Sequence, residues 1–305
     1  MRESIKKYFK VGLVEFMAYP AGLRGEDPDI LARVKQIACD EYFDAIEMTW
    51  IKNSETRAQA AKLLGASHMA VCYGAQPRLL TQGLNPNHID EIERKKAEAT
   101  LIEAIDEARE IGSAGVAFLA GKWEESTKDQ AYDQLLKTTR ALCDYAKTKN
   151  MFIELEVFDY DIAKSSLIGP APLAARFAAD IRTTHPNFGL MIDLSHIPMT
   201  YETPEFVVRA LRPYLTHFHI GNTVCRDPQS AGYGDEHQRF GFPGGSNDVP
   251  EVLSFLRVLK NEGFFNSENP YVLSFEVKPW KDEDMDVSVA NMKRTLSRAW
   301  ALLED

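Results

Sequence analysis

The sequence predicts an α/β protein, a single (β/α)8 TIM barrel over residues 1–305, on three observations. Short runs rich in β-branched and aromatic residues alternate eight times with longer amphipathic runs, the pattern of repeated βα units. The chain is long enough for eight units, which commonly take about 250 residues in this architecture. No Gly-rich GxGxxG follows the first strand, so the phosphate-cradling mark of the rival open, doubly wound sheet is missing.

In order, the expected strands are "VGLVEFMA" (11–18), "YFDAIEM" (42–48), "HMAVCY" (68–73), "GVAFLA" (115–120), "MFIELEV" (151–157), "FGLMIDL" (188–194), "LTHFHI" (215–220) and "YVLSFEV" (271–277). The first three are followed by the helical patterns "PDILARVKQIACDE", "SETRAQAAKLLGA" and the long "HIDEIERKKAEATLIEAIDEAREIG". The next three precede "DQAYDQLLKTTRALCDYAKTKN", "PLAARFAADIRTTH" and "TPEFVVRALRPY"; the last two precede "VPEVLSFLRVLKNEG" and "VSVANMKRTLSRAWALLE". Gly112, Asn150 and Gly263 stand at helix ends, where a left-handed cap closes the last turn. No low-complexity linker or internal repeat marks a second domain. One connection is long, the loop at about 220–248 after strand seven, and long loops at this end of a barrel commonly carry function.

With 45% hydrophobic and 26% charged residues, the chain has the composition of a folded protein able to bury a large core. A formal charge of −10 argues against nucleic acid as partner, because such binders need a basic face. Cys39, Cys72, Cys143 and Cys225 are far apart with no CxxC pair, and "MRESIKKYFK" lacks the apolar core of a signal peptide, so a cytoplasmic, reduced protein is expected. No run reaches the roughly 18 apolar residues of a membrane span.

Chemistry in this architecture sits at the C-terminal strand ends. Glu156, Asp193, His219 and Glu276 fall there on strands five to eight, each among apolar residues: "ELEVF", "MIDLSH", "HFHIG" and "SFEVKP". One such acid often pairs with a Lys or Arg, and a lone buried His is usually hydrogen-bonded core. Four on successive strands, without matching basic residues, point instead to a divalent metal: Mn foremost, with Mg or Co as alternatives for an oxygen-rich set. Residues two apart share a strand face, so His217 and His219 both point inward, with His219 nearer the rim and His217 one layer below. Either could ligate; His219 is the expected ligand and His217 its support. Glu154 stands below Glu156, and Ser274 below Glu276, in the same way, as groups that orient the ligands. His196, Asp235 and His237 lie on the following loops and could contact substrate, tie down the loop or hold a second metal; substrate contact is the expectation. Phe16, Tyr19, Trp50, Tyr73 and Trp123, near the ends of strands one to four, could line the site with apolar surface.

Together, "LEVF", "DLSH", "HFHIG" and "SFEVKP" resemble the xylose-isomerase-like TIM barrels, the sugar phosphate isomerase/epimerase group that includes the ketose 3-epimerases. The resemblance spans essentially the whole chain. It implies Mn or Co on Glu156, Asp193, His219 and Glu276, substrate contact by His196, and an Arg in the strand-seven loop, here Arg226. The wording around "HIGNTVCRDPQSAGYGDEHQRFGFPGG" is similar to a branch containing the catalytic α subunit of C-glycoside deglycosidases, which work with a small β-sandwich partner. Related DNA-repair endonucleases also carry histidines near strands three and four, where this chain has "VCYGAQP" and "AFLAGKW".

The implied reaction is proton abstraction beside the carbonyl of a keto sugar through a metal-stabilised enediolate. Glu156 and Glu276 would be the base and acid, and His196, Glu154 or His237 would manage protons. Cleavage of the C–C bond of a 3-oxo-C-glycoside is the favoured specific outcome, with ketose 3-epimerisation or sugar (phosphate) isomerisation as the alternative. A barrel that only binds a partner is a more distant one. Substrate contacts are expected from His196, Arg226, Asp235, His237 and Trp123. The substrate is a small sugar or glycoside, no membrane is involved, and an oligomer is expected.

Overall fold

A computed structural model describes residues 1–304. Eight strands run in chain order: β1 (Phe9–Val14), β2 (Ala45–Met48), β3 (Ala70–Tyr73), β4 (Gly115–Leu119), β5 (Phe152–Val157), β6 (Phe188–Asp193), β7 (Leu215–Ile220) and β8 (Tyr271–Phe275). They form one parallel sheet in the order β3-β2-β1-β8-β7-β6-β5-β4. A single bridge, Gly74 to Ala117, with the Ala75 N–H donating to the Ala117 carbonyl at 2.8 Å, joins the two edges and closes the barrel.

The helices are α1 (Glu15–Ala18), α2 (Ile30–Ala38), α3 (Ser54–Ser67), α4 (Gln76–Leu80), α5 (Glu91–Glu110), α6 (Lys128–Thr148), α7 (Ala171–Arg182), α8 (Pro204–Leu211), α9 (Val249–Asn261) and α10 (Met285–Leu302). Asn53, Asp90, Thr203, Asp248 and Asp284 cap N-termini through their side chains, satisfying backbone donors that have no partner in the first turn. Gly112, Asn150 and Gly263 all have positive φ, as expected for caps. No helix among the described residues is long and apolar enough to cross a membrane.

The core forms where the outward faces of the strands meet the helices. Leu155, Leu190, Phe218 and Phe275 are fully buried in one cluster with Phe177 of α7, Leu211 of α8, Phe255 of α9 and Leu296 of α10. Alternation therefore turns the polar residues of β5 to β8 into the barrel.

Two strand boundaries differ from expectation in ways that shape the site. "VGLVEFMA" is extended only to Val14, the last residue of β1 that pairs with β2, and Glu15–Ala18 then coil into α1. β3 begins at Ala70 because His68, with φ 63°, still caps α3. A further irregularity lies on β7: Leu190 pairs with Leu215 but Met191 with His217, leaving Thr216 as an extra, bulged residue. Its side chain therefore joins His217 on the inner side and donates to Glu154 Oε1 at 2.6 Å. Gly189 makes room for it, since a Cβ there would lie 2.5 Å from Thr216 Oγ1.

The long loop runs from β7 to α9 and is pinned at both ends. Asn247 is buried and donates to the carbonyls of Leu194 (3.1 Å) and Gly221 (3.0 Å), while Asn222 accepts from the Asn247 N–H (2.8 Å).

Candidate metal centre and active site

Successive strand ends bring four side chains to one point. Glu156 is the penultimate residue of β5, Asp193 the last of β6 and His219 the penultimate of β7. Glu276 follows β8 directly, its N–H bound to the Ile220 carbonyl at 3.0 Å. All four are buried, and their ligand atoms lie within 4.8 Å of one another. His219 presents Nδ1 to this cluster, 2.7 Å from Glu276 Oε2 and 3.6 Å from Glu156 Oε1.

Two of the six carboxylate oxygens already accept hydrogen bonds from outside the cluster. Gln76 Nε2 donates to Glu156 Oε2 (2.7 Å), and the Ser195 N–H donates to Asp193 Oδ1 (2.7 Å). Glu156 Oε1 and Asp193 Oδ2 are buried with no hydrogen-bond partner among the described residues. Such oxygens cost free energy unless something positive meets them, and a divalent cation with oxygen and imidazole donors fits this set. Without one, burial and then the Glu276 charge push Asp193 up to about 6. Burial also opposes ionisation of Glu156, but His196 and His219 beside it hold its pKa below the ordinary value. His219 resists burial in the same manner, raised well above an ordinary histidine by Glu47 and Glu276.

A second rank of groups packs beside these. His196 stands 3.6 Å from Glu156 Oε1 and 3.5 Å from Asp235 Oδ1, with the Phe158 ring 4.3 Å from its own. His237 Nε2 is 2.7 Å from Asp235 Oδ1, and its Nδ1 is 3.6 Å from Asp193 Oδ2. Lys164 completes the group at 2.7 Å from Asp235 Oδ2. Burial lowers the affinity of both rings for a proton, yet the Asp235 charge outweighs it and lifts His196 to about 9 and His237 to about 10. Asp235 is driven well below its ordinary value, because His237 and His196 overcome its burial. His196, His237 and Lys164 are thus charged donors gathered around the Asp235 carboxylate beside the cluster. Asp235, His237 and Lys164 border a cavity of about 180 Å³, as do His219 and Glu276, and its other walls include Phe16, Met17, Leu23, Pro77 and Leu80. A larger cavity of about 700 Å³ opens at the strand starts, between Lys6, Lys10 and His68; the convergent carboxylates, not size, mark the site.

The structure gathers Glu156, Asp193, His219, Glu276, His196, Asp235 and His237, and places the remaining candidates elsewhere. Glu154 and His217 lie one layer down, with His217 Nδ1 3.3 Å from Glu154 Oε2, bordering a separate chamber of about 150 Å³. Arg226 is exposed on the outer part of the loop and does not line the central cavity. Trp123 packs on Tyr160 with ring centroids 4.7 Å apart and is also outside the lining. Of the five aromatic residues considered for the walls, only Phe16 borders the cavity.

Three contributors escaped the sequence reading. Glu47 on β2 is buried and stands 2.9 Å from His217 Nε2 and 3.0 Å from His219 Nε2. An acid inside the apolar "AIEM" was the available signal. Gln76 opens the short helix α4 and Lys164 sits on the loop after β5, where neither periodicity nor spacing marks them.

Fold and site together define a (β/α)8 barrel with a buried carboxylate–imidazole cluster at the C-terminal rim. The chain belongs to the xylose isomerase-like TIM barrel family, whose pattern matches residues 36–294. No curated protein matches it closely enough to count as a relative. Among solved structures it is similar to a D-tagatose 3-epimerase-like protein, with TM-score 0.70, 20% identity, and 96% of this chain and 99% of that one covered. The IolI protein with a bound zinc atom superposes with TM-score 0.73 at 15% identity, over 97% and 100% of the two chains. The 3-keto-D-glucoside 4-epimerase YcjR from E. coli gives TM-score 0.67 at 14% identity, over 95% and 99%. At these identities the likeness is one of fold.

Proposed function

We propose that this chain is a divalent-metal-dependent sugar epimerase or isomerase that removes a proton beside the carbonyl of a keto sugar. The observation that carries this is the buried four-donor cluster with two unpartnered carboxylate oxygens, Glu156 Oε1 and Asp193 Oδ2. Glu156, Asp193, His219 and Glu276 would hold the cation, Mn foremost and Mg or Co otherwise. When bound, it would supply Lewis-acid stabilisation of the charge that develops on the carbonyl oxygen.

The chain's own groups account for the rest. Glu156 is ionised at neutral pH, as a base must be. Glu276 reaches the site from β8, three strands round the sheet from β5, and would serve as the opposing acid. His196, held protonated by Asp235, has both ring nitrogens without a hydrogen-bond partner among the described residues and would offer N–H donors to sugar oxygens. His237 directs Nε2 to Asp235 and Nδ1 to the Glu276 carbonyl, and Lys164 fixes Asp235. The proteins of similar fold include a D-tagatose 3-epimerase-like protein and a 3-keto-D-glucoside 4-epimerase, which supports a small keto sugar as the substrate class.

The apolar wall of Phe16, Met17, Leu23, Pro77 and Leu80 favours a second reading. A substituent carried by the sugar would rest there, as in C–C cleavage of a 3-oxo-C-glycoside by a catalytic subunit joined to a small β-sandwich partner. The test is to incubate Mn-loaded protein in D2O with free ketoses and with 3-oxo-C-glycosides, with and without candidate partner subunits. Solvent deuterium at the carbon beside the ketone is expected. Epimeric product from the chain alone supports the first reading, and aglycone release only with a partner supports the second. Absence of exchange into every ketone contradicts both.

A further inference from the structure

His219 must meet a cation through one ring nitrogen, and the structure decides which. Nδ1 faces Glu276 and Glu156, whereas Nε2 points away from the cluster to Glu47 Oε1 at 3.0 Å. The same oxygen lies 2.9 Å from His217 Nε2. Glu47 is fully enclosed at the second strand, and its pairing with Val14 of β1 and Cys72 of β3 fixes where its side chain starts. An ionised carboxylate only accepts hydrogen bonds, so both rings must carry a proton on Nε2 when they face it.

We infer that Glu47 is a positioning residue, which locks His219 with Nε2–H donated to Glu47 Oε1 and Nδ1 turned to the cation. The inference rests on the metal reading above. His217 is the brace of this arrangement. Its Nε2 shares the Glu47 oxygen, its Nδ1 meets Glu154 Oε2 at 3.3 Å, and the bulged Thr216 donates to the other oxygen of Glu154 at 2.6 Å. A line of contacts, Thr216 to Glu154 to His217 to Glu47 to His219, therefore ties the ligand to the lower layer of the barrel. The bulge on β7 has a purpose in this scheme, because it turns Thr216 inward to anchor Glu154. Partners of this kind set a ligand's tautomer and ring orientation, and their loss commonly weakens metal binding by about 10–100-fold.

The test uses the full chain as wild type, Glu47→Gln and Glu47→Leu, with Mn2+ affinity and melting temperature measured for each. One amide oxygen can replace the one carboxylate oxygen that accepts from both rings. Glu47→Gln is therefore expected to stay much nearer wild type in affinity, while Glu47→Leu loses about 10–100-fold. A merely structural role would lower the melting temperature of Glu47→Leu and leave its affinity in place; that result overturns the inference. Histidine 15N spectra of the wild type loaded with diamagnetic Mg2+ give a second readout that needs no variant. His219 protonated on Nε2 and bound through Nδ1 supports the assignment, and the reverse overturns it even if Glu47→Leu does not fold. Wild type that binds no Mn2+ overturns the metal reading and this inference with it, whereas tight binding with unchanged affinity in Glu47→Leu overturns only the role of Glu47.

Discussion

Asp193→Asn should make the metal-free protein more stable and the metal-loaded protein less so. Asp193 is fully enclosed, with Oδ1 held by the Ser195 N–H and Oδ2 unpartnered among the described residues. Burial, then the nearby Glu276 charge, raises its pKa from 3.8 to about 6. At about 1.4 kcal/mol for each pH unit, the ionised side chain costs the metal-free fold on the order of 3 kcal/mol at neutral pH. Because the folded value is the higher one, the fold binds a proton that the unfolded chain has already lost. Stability from this group is complete below about pH 4 and is lost as pH rises through about 6. Asparagine keeps the oxygen that accepts from Ser195 and carries no charge, so it removes the cost. Urea unfolding after chelator treatment should show Asp193→Asn and wild type alike near pH 4, with the variant ahead by up to about 3 kcal/mol at pH 7. Adding Mn2+ at a hundred times its dissociation constant should stabilise wild type by about 2.7 kcal/mol and the variant by far less. A variant no more stable than wild type at pH 7 without metal, or an advantage that does not grow between pH 4 and 7, would refute the reasoning.

Glu156→Gln should lower solvent-proton exchange into a keto sugar by about 10²–10⁴-fold, the usual range for losing a catalytic base; His219→Ala should reduce metal content as well, read by elemental analysis. Asn247→Ala leaves the Leu194 and Gly221 carbonyls without their donor, and should cost about 1–3 kcal/mol in chemical unfolding. Arg226 is exposed and away from the cavity, so Arg226→Ala should change KM by no more than about twofold. A large rise in KM would show that the loop carries Arg226 inward when substrate binds.

The barrel was legible because each strand had its own mark: apolar runs of β-branched and aromatic residues, then a helix ended by Gly112, Asn150 or Gly263. The cluster was legible for a related reason. Glu156, Asp193, His219 and Glu276 each interrupt an apolar strand at the end where the fold places chemistry, and alternation alone separates His219 from His217. The same signal existed for Glu47, but its strand is short and its importance comes from pairing with β7 residues 170 and 172 positions away. Gln76 reaches Glu156 across 80 positions of sequence, and no local pattern encodes such a contact. Trp123 and Arg226 failed to join the cavity for the converse reason. They sit near the correct strand ends, but local packing decides their direction: Trp123 turns to Tyr160 and Lys128, and Arg226 follows the outer course of its loop. The extent of β1 was misjudged because "EFMA" suits a helix as well as a strand, and pairing with β2 ends at Val14.

Anomalous scattering from a crystal of the Mn-loaded protein tests the central claim most directly. The account predicts one fully occupied Mn2+ ligated by Glu156, Asp193, Nδ1 of His219 and Glu276. A protein that takes up no Mn2+, or an ion coordinated elsewhere with Glu156 Oε1 and Asp193 Oδ2 left unligated, would contradict it.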